Sequence, residues 1–255
     1  MNFVDTHCHC HWPDFGLPVQ EVIKNATQAG VGKLVCIGTS TKDSQTAVQF
    51  AGMHDNIWAS VGVHPHYASA ELPKVADLKN LTNRPKVVAI GECGLDYYYH
   101  RSPKADQEQI LNFQLQLAQD TNLPVIFHVR DAFNDFWPIV DNFRGISGVF
   151  HCFSAGQKEL DDILKRDFYV GVNGIATFSK NAEQIEAFKS IPLGKMLLET
   201  DAPYLTPAPL RGKINQSMNV VVIARFLSAL RGESLLDIAN QTTHNANKLF
   251  GLKNG

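Results

Sequence analysis

Two histidines separated by one residue, His7 and His9, close the opening segment Phe3-Val4-Asp5-Thr6. Side chains of an extended strand alternate with a period of two, so both imidazoles fall on one face and Cys8 on the other. One cation can then take both nitrogens. A His-x-His pair is commonly no more than a solvated surface pair; its place at the end of an apolar run favours ligation. Similar groups recur where other apolar runs stop: His64 and His66 after IWASVGV, Glu92 after VVAIG, His128 after PVIF, His151 after GVF, and Asp201 after MLLET. Taken singly, His128 or His151 reads as a core histidine with a hydrogen-bond partner, and Glu92 as half of a salt bridge. An unpaired buried carboxylate is costly, however, so an inward Glu92 needs a cation or donors around it. The repetition at successive run ends points to a shared metal site.

Mixed imidazole and carboxylate ligation suits zinc, manganese, iron or nickel, whereas a carboxylate-rich set would point to magnesium or calcium alone. The ligand count fits two divalent metal ions, with zinc, magnesium and manganese the leading identities. His7, His9 and Asp201 would take one ion, His128 and His151 the other, and Glu92 would bridge. Glu199, two residues before Asp201, shares its facing and reads equally as a supporting acid and as part of a polar layer. Cys8 and Cys10 with the histidines would make a zinc site, but no second cysteine pair follows, so a structural zinc is the weaker reading.

The elements that must position these groups are legible as alternating patterns. Short apolar runs at 3–6, 33–39, 57–64, 86–92, 124–128, 148–151, 168–173 and 195–201 are separated by longer amphipathic segments. That alternation predicts βα units around a parallel sheet, and near-continuous runs such as KVVAIG suit strands covered on both faces. Over 105–120, Ile110, Phe113 and Leu117 make one apolar helical stripe. Ser234 and Asp237 read as a capping box, and Gly251 as the stop of a last helix. No linker divides the chain, which predicts one domain over residues 1–255. Eight strands in about 250 residues is the size of a (β/α)8 TIM barrel, an α/β architecture that places its active site at the C-terminal strand ends; an open doubly wound sheet shares the pattern.

Composition narrows the function classes. With 255 residues, 44% of them hydrophobic, the chain can bury a substantial core, and a formal net charge of -2 makes its whole surface no trap for nucleic acid. Any phosphate binding must be local. Five cysteines, odd in number and set in apolar or His-rich segments, suit reduced thiols. No basic leader precedes an apolar stretch and no run approaches the roughly 20 apolar residues of a membrane span. The expectation is a cytoplasmic monomer with no membrane partner.

The segments FVDTHCHCH, VGVHPHYA, AIGECGLDYYY, PVIFHVRDA, HCFSA, LLETDAPYLTPAPLRGK and NANKLFG, in that order and spanning nearly the whole chain, resemble those of TatD-type metal-dependent deoxyribonucleases. The resemblance implies a TIM barrel, divalent metal ions and hydrolysis of DNA phosphodiesters, in some members as a 3′ to 5′ exonuclease. It supports His7, His9, Glu92, His128, His151 and Asp201 as ligands and makes His64 a contact to substrate phosphate. Arg130 and Arg211 are further candidates for holding phosphate, and Tyr97 or Tyr98 for stacking on a base; an ion pair for Arg130 and loop packing for the tyrosines are the plainer alternatives. Asp201 and Glu92 are the catalytic candidates, Asp201 as acceptor of a proton from metal-activated water. The chain departs from the family pattern after Arg211-Gly212-Lys213, where Ile214-Asn215-Gln216-Ser217 stand in place of the common Arg-Asn-Glu-Pro, and Cys10-His11 replace a common leucine. A hydrolase of C–N or carboxylic-ester bonds on the same barrel, including an aminoacyl-tRNA deacylase, and a non-catalytic metal-binding module are the competing readings.

Overall fold

In a computed structural model describing residues 1–252, eight strands alternate with helices. The strands are β1 (Phe3–Cys8), β2 (Val31–Cys36), β3 (Ile57–Val61), β4 (Val87–Asp96), β5 (Val125–Arg130), β6 (Gly148–Phe150), β7 (Tyr169–Val172) and β8 (Met196–Leu198). The helices are α1 (Val19–Gln28), α2 (Thr41–Gly52), α3 (Ala68–Glu71), α4 (Lys104–Thr121), α5 (Phe133–Val140), α6 (Gln157–Lys165), α7 (Ala182–Ser190), α8 (Val220–Arg231) and α9 (Leu235–Phe250). The sheet runs in the order β1 to β8, the (β/α)8 arrangement read from the alternation. The last three positions of the predicted 1–255 domain lie outside the described residues. The chain divides into two compact units: Met1–Cys36 together with the chain from His151 onward, and Ile37–Phe150.

In the first unit β1 pairs with β2 and β7 with β8, all parallel. The anchoring of its last helix follows from sequence chemistry. Ser234 accepts from Asp237 N at 3.0 Å at the start of α9, and Gly251 at φ 61 ends it in the left-handed region that suits glycine. Asn245, on the buried face of α9, donates to the carbonyls of Leu193 and Met196, both at 2.8 Å. The start of β8 is thereby tied to the helix.

In the second unit β3, β4, β5 and β6 pair in parallel. Phe127 of β5, Phe136 of α5 and Phe150 of β6 pack as an aromatic cluster with centroids 5.1–5.5 Å apart. The stripe predicted for 105–120 differs in detail. Phe113 is only half-buried, while the polar Gln107 and Gln114 are buried with Ile110 and Leu117. Both amides replace lost water by bonding backbone at the end of a strand or just past it. Gln114 accepts from Val63 N at 2.8 Å and donates to Val63 O at 3.0 Å; Gln107 does the same for Asp96 N and O at 2.8 and 3.1 Å.

Strand bounds moved from expectation for local reasons. β3 stops at Val61, before His64, because Pro65 opens a short 3-10 turn and supplies no ladder donor. β4 instead continues past Glu92 to Asp96, since Gly94 pairs with His128 and Asp96 with Arg130 on β5. Gly94 has φ +152, and a methyl group there would run into the His128 carbonyl oxygen.

Candidate metal centre

In the first unit, His7 and His9 leave β1 on one side, as the strand period requires. Beyond β8 the chain turns at Asp201, whose φ of 57 puts a non-glycine residue in the left-handed region. Two backbone bonds of 2.8 Å hold that turn against β1: Asp201 N to His7 O, and His9 N to Ala202 O. Asp5, fully buried, clamps it from below by accepting from Thr200 N at 2.9 Å and Thr200 Oγ1 at 2.6 Å. The Asp201 carboxylate therefore lies 3.5 Å from His7 Nε2 and 3.4 Å from His9 Nε2. Burial alone would raise the Asp201 carboxyl, but the hydrogen bond from His9 and the positive charge of His151 and His7 outweigh it and hold it below the usual carboxylate range. Ligand atoms of His7, His9 and Asp201 all lie within 4.8 Å of one another. Two imidazoles and an ionised carboxylate at that spacing fit a divalent cation of the zinc or manganese type.

His151 stacks on His7 with centroids 3.5 Å apart, and its Nδ1 lies 2.9 Å from Glu199 Oε1. Glu199 also accepts from Cys152 N at 2.7 Å. Its carboxylate thus lies beside the His151 ring, the position that the reading of Glu199 as a supporting acid requires. Carboxylates that hold the far nitrogen of a ligand histidine fix its tautomer and raise its basicity.

The second unit gathers His64, Glu92 and His128, whose ligand atoms also lie within 4.8 Å of one another. His128 spans two carboxylates, with Nδ1 at 2.8 Å from Glu92 Oε1 and Nε2 at 3.0 Å from Asp96 Oδ2. His64 Nε2 stands 3.5 Å from Glu92 Oε1, while its Nδ1 accepts from His66 N at 3.1 Å. That bond leaves the His64 proton on Nε2. Burial first, then the charge of His128, keeps the His64 imidazole well below its ordinary pKa, so it is neutral at pH 7 and offers Nε2–H as a donor.

Asp96 was not among the residues picked from the sequence. It is buried and accepts from Tyr98 N and Tyr99 N, both at 3.0 Å, with His66 Nε2 at 2.9 Å and His128 at its other side. Burial opposes its charge, but the hydrogen bonds from His128 and His66 hold its carboxyl well below the carboxylate range. The signal was its position four residues after Glu92, an even spacing along one strand. The arginines are placed differently from a simple phosphate clamp. The Arg130 guanidinium lies 4.1 and 4.9 Å from the ring centroids of Tyr98 and Tyr99, which are 54% and 48% exposed. Arg211 lies 3.9 Å from the Phe178 centroid and donates to Thr206 O at 3.0 Å. Tyr97 is buried against α4 rather than in loop packing, its hydroxyl donating to Glu108 Oε1 at 3.3 Å and its ring centroid 3.9 Å from Lys104 Nζ. In the altered loop, Asn215 is buried and donates to Thr200 O at 2.9 Å and Tyr204 O at 2.6 Å, so the segment stays anchored without the common Glu-Pro.

An eightfold βα fold carrying imidazole and carboxylate clusters on its strands and on the turns that follow them fits a metal-dependent hydrolase, and the comparisons with known proteins agree. The family described as TatD related DNase matches residues 4–251, and the chain belongs to it. It is 35% identical to the uncharacterized metal-dependent hydrolase YabD of Bacillus subtilis (strain 168), over 96% of this chain and 98% of that one. It is 36% identical to the 3′-5′ ssDNA/RNA exonuclease TatD of Erwinia tasmaniensis, covering 91% of this chain and 93% of the relative. The crystal structure of YJJV, a TatD homologue from Escherichia coli K12, superposes with a TM-score of 0.89 at 28% identity, covering 98% of both chains. No helix among the described residues is long and apolar enough to cross a membrane.

Proposed function

We propose that the protein is a 3′ to 5′ exonuclease acting on single-stranded DNA, and that His7, His9, Glu92, His128, His151 and Asp201 hold two divalent ions in one catalytic domain. The observation that carries this reading is the convergence of His7, His9 and Asp201 within 4.8 Å in a chain of the TatD family. Divalent ions held there supply positive charge that acidifies a water molecule and offsets the charge of the phosphate. Zinc, magnesium and manganese all suit the donors.

The protein's own groups then have separate tasks. Asp201, held ionised by its histidine neighbours, accepts the proton of the attacking water. As that oxygen bonds to phosphorus, the bond from phosphorus to the 3′ oxygen breaks, and the leaving oxygen takes up a proton from solvent. Neutral His64 donates its Nε2–H to a phosphate oxygen, and Glu199 and Asp96 keep His151 and His128 in register. Exposed Tyr98 and Tyr99, backed by the Arg130 guanidinium, offer faces on which unpaired bases stack regardless of sequence. Arg211 supplies positive charge in the altered loop, which supports contact with the phosphate chain. A net charge of -2 fits a substrate held locally, and cysteines without disulfides fit the cytoplasm, where the protein acts as a monomer in this reading.

The test compares a single-stranded oligonucleotide carrying a 3′ fluorophore with carboxylic-ester, amide and aminoacyl-tRNA substrates. Stepwise loss of 3′ nucleotides, abolished by chelation and restored by manganese or magnesium, is expected. Turnover of the ester or amide with an untouched oligonucleotide moves the chain to the competing hydrolase class, and no turnover of any substrate leaves the metal-binding module.

A further inference from the structure

The alternation that puts His7 and His9 on one face of β1 sends Cys8 to the other. There β2 brings a third cysteine to it. Cys8 and Cys36 are partners across the parallel pair of β1 and β2, and Cys10, two residues on, reaches the same place. The Sγ atoms of Cys10 and Cys36 stand 3.3 Å apart, those of Cys8 and Cys10 3.8 Å, and all three lie within 4.8 Å of one another. With metal–sulfur bonds of about 2.3 Å, three sulfurs around one ion stand about 4 Å apart. The Cys10–Cys36 and Cys8–Cys10 pairs therefore need to widen by less than one ångström to surround an ion. From the structure we infer a second, separate metal site: Cys8, Cys10 and Cys36 form a closed three-sulfur nest for a soft monovalent cation, copper(I).

Two properties choose the ion. Sulfur donors select soft metals and reject the magnesium or manganese that the imidazole and carboxylate clusters accept. Exposure of the three cysteines is 0%, 1% and 0%, so water has no way to complete a fourfold zinc shell. Each bond made by a thiolate releases one proton to solvent, and the copper stays in the +1 state throughout. No oxidant or reductant enters. Of the three, only Cys8 lies within the first family-like motif as commonly written; Cys10 stands where a leucine is common. The site is thus a property of this chain, resting on its own packing.

The test is an anaerobic titration of the reduced full-length protein with copper(I) against a chromophoric copper(I) chelator, in excess magnesium, followed by copper X-ray absorption of the loaded protein. One equivalent of copper withheld from the chelator, with three sulfur neighbours at about 2.3 Å, is the expected result. Cys10→Ser and Cys36→Ser should each weaken retention at least tenfold while the circular dichroism spectrum stays that of the wild type. Copper left wholly with the chelator, or bound copper surrounded by nitrogen, overturns the proposal. So does unchanged retention in both variants, or zinc(II) held in fourfold coordination in place of copper. If either serine variant fails to fold, the sulfur count from the wild-type absorption decides alone.

Discussion

At the scale of single residues, the chemistry rests on carboxylates kept ionised by histidines. In the proposed reaction Asp201 is the one that takes a proton. Asp201→Asn should lower kcat on a single-stranded oligonucleotide by about 10²–10⁴, with folding unchanged by circular dichroism. A variant retaining most of the wild-type rate would remove Asp201 from the proton transfer. Asp96 acts through His128 and His66 and is a positioning residue. Asp96→Asn keeps the shape and loses the charge, so manganese affinity by calorimetry should fall about 10–100-fold, and raising manganese should recover much of the lost rate. A merely structural role for Asp96 would lower thermal stability without that rescue. Among these residues, Asp201 and Glu92 were legible because they interrupt apolar runs. Asp96 was not, because GLDYYY looks like a loop until β4 is seen to continue as far as Asp96.

Strands and helices carry the second level of the argument. β4 and β5 stay paired up to Asp96 and Arg130 only because Gly94 allows the close approach at His128. Gly94→Ala forces a side chain into a backbone conformation that costs about 1–3 kcal/mol, and the contact with the His128 carbonyl adds to it. The midpoint of urea unfolding should drop accordingly, and metal affinity should fall with it. An alanine variant as stable as the wild type would show that the strand pair adjusts freely there. The helix-cap prediction is of the opposite kind: Ser234→Ala should cost about 1 kcal/mol in the same unfolding measurement and leave hydrolysis untouched, since α9 contributes no group to either cluster.

For the whole molecule, a net charge of -2 means that affinity for a polyanion comes from a few sites. Ile214 is 41% exposed and stands where the family commonly has arginine. Ile214→Arg should tighten binding of single-stranded DNA, and the plot of log affinity against log salt should steepen by about 0.7. An unchanged slope would place Ile214 away from the path of the phosphate chain. The five cysteines are free thiols among the described residues, four of them buried, as their apolar surroundings led one to expect.

Periodicity in the chain was enough to establish the alternation of strands and helices, the last helix with its Ser234 cap and Gly251 stop, and the residue types at the run ends. Those features depend on neighbours in the sequence, on hydrophobic period and on capping chemistry. Tertiary structure alone decided that Gln107 and Gln114 are buried, that Glu199 lies beside His151, that Asp96 sits beside two histidines, and that Cys36 joins Cys8 and Cys10. Each of these is a contact between residues far apart along the chain. Their partners are set by strand register and by where the backbone turns, and no local pattern of residues encodes either one.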